Sequence, residues 1–116
     1  MQFHVVSGNA VRAPSDCVVV GVYEGGVLAS ATRALDRLLD GRLSALVKRG
    51  DFAGKLGDTL LVMDLPKTAP ARALLVGLGS KSAFGRRPLR RALSAALQAV
   101  IRTGTRHATL SVAGEP

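Results

Sequence analysis

Two acidic residues of this 116-residue chain have a spacing that catalysis could use. Asp36 and Asp40 lie four residues apart, so a helix would place both carboxylates on one face. Paired carboxylates can act as general acid and general base. Arg33 and Arg37 lie beside them in the sequence, however, and favour weak ion pairs on a solvated surface. We therefore interpret these acids as surface charges.

A glycine-containing segment between an apolar run and a helical pattern is a second candidate site. It comprises Gly77, Gly79, Ser80 and Lys81. A glycine-rich turn between a strand and a helix can bind phosphate through backbone N–H groups. The spacing matches neither GxGxxG nor the P-loop, and glycine also serves simply to permit a tight turn. The segment is thus a weak candidate for binding ADP-ribose or a nucleotide.

Arginines crowd the start of the last helical segment. The basic residues of this segment are Arg86, Arg87, Arg90, Arg91 and Arg102. Positive charge is unfavourable at the start of a helix, and like charges four residues apart repel, so an anion would relieve the arrangement. The chain also carries a net charge of +8, from 16 basic and 8 acidic residues.

Two interpretations of this basic face stay open. One is a solvated outer surface; the other is a strip that contacts the backbone of duplex DNA, because arginine pairs well with phosphate. Arg12, Lys48 and Arg49 would extend that strip if the fold brought them near. One tyrosine and three phenylalanines are too few to suggest base stacking, so we expect weak sequence preference.

The remaining reactive residue types are interpreted as structural. Cys17 is the only cysteine and lies in an apolar run, which excludes an internal disulfide and favours a buried small side chain. His4 and His107 each lie in a strand-like segment without a second ligand at metal-site spacing.

The hydropathy pattern predicts the elements that position these residues. Strands are expected over residues 2–7, 17–23, 59–63, 72–76 and 107–112. Helices are expected over 31–39 with Ser30 as N-cap, over 42–49, and from 86 until Gly104 ends the last one. The last helix is expected to face the core with Leu89, Leu93, Ala96, Leu97, Val100 and Ile101. The pattern predicts an α/β sandwich of three layers around a mixed, mainly parallel sheet.

Length and composition favour one domain over residues 1–116. No linker divides the chain, and the longest apolar run, Cys17–Tyr23, is far below the ~20 residues that a membrane span needs. The amino terminus has no secretory signal pattern. We expect a cytoplasmic protein with no membrane partner. A strand so close to residue 116 also predicts that the domain is truncated at its carboxyl end.

Three segments together carry a family resemblance. They are SDCVVVGVYE at 15–24, GDFAGKLGDT at 50–59 and RALLVGLG at 72–79. In their order and spacing they resemble the amino-terminal domain of the leucyl (cytosol) aminopeptidase family. The resemblance covers nearly the whole chain, and its most specific part is the Phe-x-Gly-x-x-Gly of the middle segment.

The resemblance implies a parent enzyme that removes amino-terminal residues from peptides. In that family two divalent metal ions, Zn or Mn, lie in a separate catalytic domain, which assembles a hexamer, and the amino-terminal domain has a macro-domain-like fold. The family's catalytic signature, Asn-Thr-Asp-Ala-Glu-Gly-Arg-Leu, is not in these 116 residues. We therefore expect no catalytic residue, metal ligand or cofactor here, and the catalytic domain as partner. Some bacterial members are also DNA-binding proteins, which supports the duplex DNA interpretation.

Overall fold

The computed structural model describes residues 2–5, 16–65 and 71–111, in which six strands and three helices occur. The strands are β1 (Gln2–Val5), β2 (Cys17–Tyr23), β3 (Val27–Leu28), β4 (Thr59–Val62), β5 (Arg72–Gly79) and β6 (His107–Leu110). The helices are α1 (Ser30–Leu38), α2 (Arg42–Lys48) and α3 (Arg86–Arg102). None of these three helices has the length and apolar character needed to cross a membrane.

The six strands form one sheet whose main path has the order β1-β6-β2-β5-β4. Parallel pairing joins β1 to β6, β6 to β2 and β2 to β5, whereas β4 runs antiparallel to β5. The prediction of a mixed, mainly parallel sheet is confirmed. The short β3, which folds back antiparallel on the end of β2, was not predicted, because two residues carry no alternating pattern.

Alternate residues of the central strands face two different layers of helix. Cys17 and Val19 of β2 belong to a core cluster shared with α3, whereas Val18 and Val20 belong to a second cluster shared with α1 and α2. Every residue of β2 is buried. Strands covered on both faces are apolar throughout, as this run is. The predicted three-layer sandwich is confirmed.

The core face of α3 agrees with the predicted stripe at Ala96 and Val100 and differs from it at the other positions. Buried against the sheet are Ala92, Ala96, Ala99 and Val100. The predicted leucines of this helix lie on its flank and are only partly buried, and Ile101 is 60% exposed. Small side chains allow a helix to lie close to a sheet, and this close approach moves the larger leucines away from the centre of the contact.

Several element ends also differ from the predictions. Ser30 is the first residue of α1 rather than its cap, a position that Ala29 takes in extended backbone with φ −66° and ψ 165°. β5 continues to Gly79, beyond the predicted end at residue 76. β4 and α2 each end one residue earlier than expected, at Val62 and Lys48. β6 ends at Leu110, before the predicted end at residue 112. Residues 6–7 and 112 themselves lie outside the described residues.

Cys17 is a buried side chain of β2, as predicted. Its side chain is fully inaccessible to solvent. Burial raises the pKa of the Cys17 thiol to about 11, because the thiolate would lose its hydration in the core. The thiol therefore stays protonated at neutral pH and acts as a small apolar group.

Asp36 is a buried helix cap rather than a surface charge, so that part of the sequence interpretation was wrong. One carboxylate oxygen, Oδ1, accepts hydrogen bonds from the backbone N–H groups of Leu43 (2.8 Å) and Ser44 (3.1 Å). The other oxygen, Oδ2, accepts from the Ser44 hydroxyl. These N–H groups belong to the first turn of α2, whose own preceding residue, Gly41, has no side chain to cap it. A carboxylate of α1 therefore fixes the start of α2.

We expect Asp36→Ala to lower the free energy of unfolding by about 1–3 kcal/mol, because two N–H groups lose their acceptor. Urea denaturation followed by circular dichroism measures this loss. Asp58→Ala is the matched control, since Asp58 is exposed, and it should change stability little. Equal losses in the two variants would contradict the capping role.

Candidate functional site

The amino-terminal turns of α3 concentrate positive charge and contain no acidic residue of their own. The four arginines of these turns, Arg86, Arg87, Arg90 and Arg91, are all exposed. The ion pair found among the described residues is Arg49 with Asp51, on a different surface. The positive end of the helix dipole adds to this charge, so the surface attracts anions.

One side of α3 forms a groove of about 560 Å³ against the segment that precedes β4. We call it the arginine groove, and its lining residues are Leu56, Gly57, Asp58, Arg87, Arg90, Arg91, Ser94, Ala95 and Gln98. The Nε atom of Arg91 lies 4.0 Å from the position that a Cβ on Gly57 would occupy. Three of the five predicted arginines therefore share one concave surface with polar side chains at its centre.

The other basic residues of the prediction lie elsewhere. Arg86 lines a different groove of α3, and Arg102 at the far end of the helix lines neither groove. Lys48 and Arg49 lie at the end of α2, which packs on the opposite face of the sheet. The expected extension of the strip by these two residues is therefore wrong, and Arg12 lies outside the described residues.

The glycines at 77 and 79 are held by a neighbouring backbone segment. Residues 54–58 lie against residues 77–79 of β5, and we call this contact the glycine clasp. Gly77 N–H donates to the Asp58 carbonyl (2.8 Å), and Gly79 N–H donates to the Gly54 carbonyl (3.0 Å). The carbonyl of Gly77 accepts from Gly57 N–H (3.1 Å). The N–H groups of Gly77 and Gly79 are thus already bonded within the protein.

Glycine is required in the clasp by space as well as by conformation. A Cβ on Gly77 would lie 1.8 Å from the carbonyl oxygen of Lys55, a backbone atom that cannot move aside. A Cβ on Gly54 would lie 2.3 Å from the Tyr23 carbonyl oxygen, and Gly54 also has φ +84°. These distances account for Gly54 and Gly77, and positive φ angles account for Gly57 (+87°) and Gly79 (+76°), so all four glycines of the two patterns have a structural reason.

Ser80 and Lys81 follow the clasp on an exposed turn. The hydroxyl oxygens of Ser80 and Ser82 lie 2.9 Å apart, and the Lys81 ammonium lies 5.7 Å from the centre of the Tyr23 ring. Tyr23 itself is buried and packs edge-on against Phe84 at 5.5 Å. Ligand binding at this loop stays a prediction, and any ligand would be contacted through these side chains rather than through the glycine N–H groups.

Metal-binding side chains are not grouped in the described part of the chain. Over residues 16–65 and 71–111, no three His, Cys, Asp or Glu side chains lie close enough to hold an ion. The carboxylates of Asp36 and Asp16 instead accept hydrogen bonds from backbone N–H groups. Asp36 caps α2, and Asp16 Oδ2 accepts from the N–H groups of Arg106 (3.0 Å) and His107 (3.2 Å). These bonds lower the pKa of Asp16. The described residues do not fit the two-metal site that the resemblance implies for the parent.

Sequence reasoning missed a second groove on α3, which adjoins the arginine groove and shares Arg90 and Ser94 with it. It has a volume of about 440 Å³, and we call it the leucine groove; its lining residues are Arg86, Leu89, Arg90, Leu93, Ser94 and Leu97. The leucines recur every four residues, which is the signal for an apolar helix face. The leucines were predicted to lie in the core, because their spacing does not show that Ala92 and Ala99 take the contact with the sheet.

Comparison with known families gives one clear match. The model described as "Cytosol aminopeptidase family, N-terminal domain" matches residues 19–115. A probable cytosol aminopeptidase of Halorhodospira halophila is 44% identical over 95% of this chain, and one of Nitrosospira multiformis is 37% identical over all of it. The chain spans 22% of the length of each of these two relatives.

Solved structures with the same fold include members of two groups. A mutant of tomato leucine aminopeptidase superposes with a TM-score of 0.72 at 25% identity, over 98% of this chain and 24% of that one. The macrodomain of Mycobacterium tuberculosis DarG superposes with a TM-score of 0.72 at 14% identity, over 97% of this chain and 78% of that one. The second similarity confirms the macro-domain-like fold and carries no further argument.

We expect Gly77→Ala to destabilise the domain by about 3 kcal/mol or more, because the new methyl group would collide with the Lys55 backbone. Thermal and urea unfolding measure the change. Gly85→Ala is the control, since no atom lies within 4 Å of a Cβ at that position. A Gly77→Ala protein as stable as the control would show that the clasp is not close-packed.

Proposed function

Because the chain belongs to the cytosol aminopeptidase family, as its N-terminal domain, we propose that it is a non-catalytic domain of a longer metallopeptidase. In this proposal residues 1–116 form one domain, and another domain of the parent hydrolyses peptides at their amino-terminal residue. That catalytic domain is the partner of this chain and holds the two divalent metal ions, Zn or Mn. A cytoplasmic location and a hexameric parent follow from the family resemblance.

The match to the N-terminal family model over residues 19–115 carries this proposal. The chemistry of the described residues agrees with it, because their carboxylates bind backbone N–H groups or lie dispersed on the surface. Two-metal hydrolysis needs clustered oxygen ligands that hold the ions roughly 3.5–4 Å apart. A domain of this kind contributes to its enzyme by contact and positioning rather than by bond cleavage.

We expect the purified chain to release no p-nitroaniline from leucine p-nitroanilide in the presence of Mn²⁺ or Zn²⁺. Calorimetric titration with either ion should likewise give no saturable binding. A full-length leucine aminopeptidase, assayed in parallel, is the positive control. Turnover by the 116-residue chain that a chelator abolishes would overturn the non-catalytic assignment.

The arginine groove supports a second candidate function, binding of the duplex DNA backbone. Three arginines line one concave surface and have no ion-pair partner among the described residues. Ser94 and Gln98 add neutral hydrogen-bonding groups to the lining, and Asp58 adds one carboxylate at the wall. Phosphate is the anion that such a surface fits best, because guanidinium groups pair with it in a fork geometry. We infer backbone contact with little base specificity, since Tyr23 is buried and cannot stack on a base.

Replacing both Arg87 and Arg91 with Ala should weaken duplex DNA binding equally for unrelated sequences. The slope of log affinity against log salt concentration should become shallower by about 2, one per lost phosphate contact. Arg37→Ala with Lys48→Ala is the matched control. Both residues are exposed, and replacing them removes the same amount of positive charge from the helices on the opposite face of the sheet. Equal effects of the two double variants would assign binding to net charge alone.

A further inference from the structure

Another groove lies on the face of the sheet opposite α3, where the hairpin of β2 and β3 meets α1 and α2. Its volume is about 320 Å³, near the lower end of the range for small-ligand sites. We call it the hairpin groove, and its lining residues are Val27, Leu28, Arg33, Asp36, Arg37 and Ser44. Apolar, basic and acidic side chains thus share one concave surface.

The hairpin groove is formed by parts of the fold that contact one another directly. A Cβ on Gly26 would lie 2.3 Å from Val47 Cγ1, so the hairpin turn packs against α2 without space for a side chain. The Nη1 atom of Arg33 donates to the Leu28 carbonyl (3.2 Å) and joins α1 to β3. The cap made by Asp36 joins α1 to α2. Because all three elements are joined in pairs, the groove is preorganised for a ligand.

The basic part of the groove can bind a carboxylate. Arg33 and Arg37 are both exposed and lie one helical turn apart on α1. Neither forms an ion pair with an acid among the described residues. The bond to the Leu28 carbonyl uses one of the five N–H donors that a guanidinium group has, so donors remain on both arginines. Guanidinium groups bind carboxylates through paired, charge-assisted hydrogen bonds.

The acidic part of the groove can bind an ammonium group. The Asp36 carboxylate accepts three hydrogen bonds, from the N–H groups of Leu43 and Ser44 and from the Ser44 hydroxyl. A carboxylate has about four acceptor positions, so one is left, and the Ser44 hydroxyl oxygen can itself accept a bond. Both side chains line the groove. An ammonium group, which only donates, matches these acceptors.

The two kinds of charge together favour a ligand that carries both. A purely anionic ligand would lie near the Asp36 carboxylate, and a purely cationic one would lie near Arg33 and Arg37; both placements bring like charges together. Asp36 lies next to Arg37 in the sequence and three residues after Arg33, so the opposite charges are within one helical turn. The exposed Val27 and the half-buried Leu28 add an apolar surface beside them.

We infer that the hairpin groove binds a free apolar α-amino acid. The ligand's carboxylate pairs with Arg33 and Arg37, its ammonium group donates to Asp36 and Ser44, and its side chain contacts the apolar residues of β3. In the proposed parent, free amino acids are the products released from peptides, so the site would fill as product accumulates. That role rests on the proposed function, whereas binding to this chain does not.

The test is a titration of the 116-residue chain, carrying isotope-labelled valine and leucine methyl groups, with L-leucine. Leucine should shift the methyl signals of Val27 and Leu28 with a dissociation constant on the order of 1 mM, and leave those of Leu89 and Leu93 on α3 unchanged. N-acetyl-leucine lacks the ammonium group and leucinamide lacks the carboxylate. Each should bind at least about tenfold more weakly than leucine, because each loses a charge-assisted hydrogen bond.

Arg33→Ala with Arg37→Ala should weaken leucine binding at least about tenfold as well. Arg87→Ala with Arg91→Ala is the matched control, since it removes the same charge from α3 and should leave leucine binding unchanged. Circular dichroism checks the folding of both variants. The series of three ligands on the unmodified chain tests the inference without any variant.

The outcomes separate this inference from the proposed function. Methyl signals that stay unshifted at leucine concentrations far above the expected dissociation constant overturn it. Equal binding of leucine and N-acetyl-leucine also overturns it, because the groove would then be an anion site. Either result leaves the non-catalytic domain assignment in place, since that assignment is carried by the family match and tested by the peptidase assay.

Discussion

The glycine clasp is a contact between two backbone segments on which several other features of the domain depend. Its hydrogen bonds join residues 54–58 to the end of β5 at distances that exclude a side chain on Gly77. By holding the chain there, the clasp starts β4 beside β5 in antiparallel pairing. It also places Gly57 and Asp58 beside α3, where they form one wall of the arginine groove. A structural contact thus shapes a candidate binding surface.

The same clasp occupies a position at which related sheets commonly bind ligands. Open α/β sheets commonly bind ligands at the carboxyl ends of their parallel strands, often through free backbone N–H groups. Here the carboxyl end of β5 is bonded to residues 54–58, and the carbonyl of Gly79 accepts from Glu24 N–H at 2.9 Å. The macro-domain-like fold is retained, but the backbone groups at this position serve to hold the protein together. The arginine groove, which we treat as a candidate partner surface, lies on α3.

The sequence predicts more of the fold than of the candidate binding surfaces. The apolar runs of β2 and β5 identified buried central strands, and Gly85 and Gly104 bracketed α3 correctly. The cap of α2 could not be predicted, because its carboxylate comes from the preceding helix. The leucine groove could not be predicted either, since the pattern shows which residues are apolar and not which of them contact the sheet. Both failures concern contacts between elements, which spacing along one element cannot specify.

The pairing of β1 with β6 has a consequence for the order in which the domain forms. Gln2 lies opposite His107, so the two partners are 105 positions apart in the chain (107 − 2). A ribosome adds roughly 5–20 residues per second, and contacts between distant residues form late. Among the described strands, β1 therefore gains its partner only after β6 has been synthesised. We expect β2, β5 and their helices to associate earlier than β1 joins the sheet.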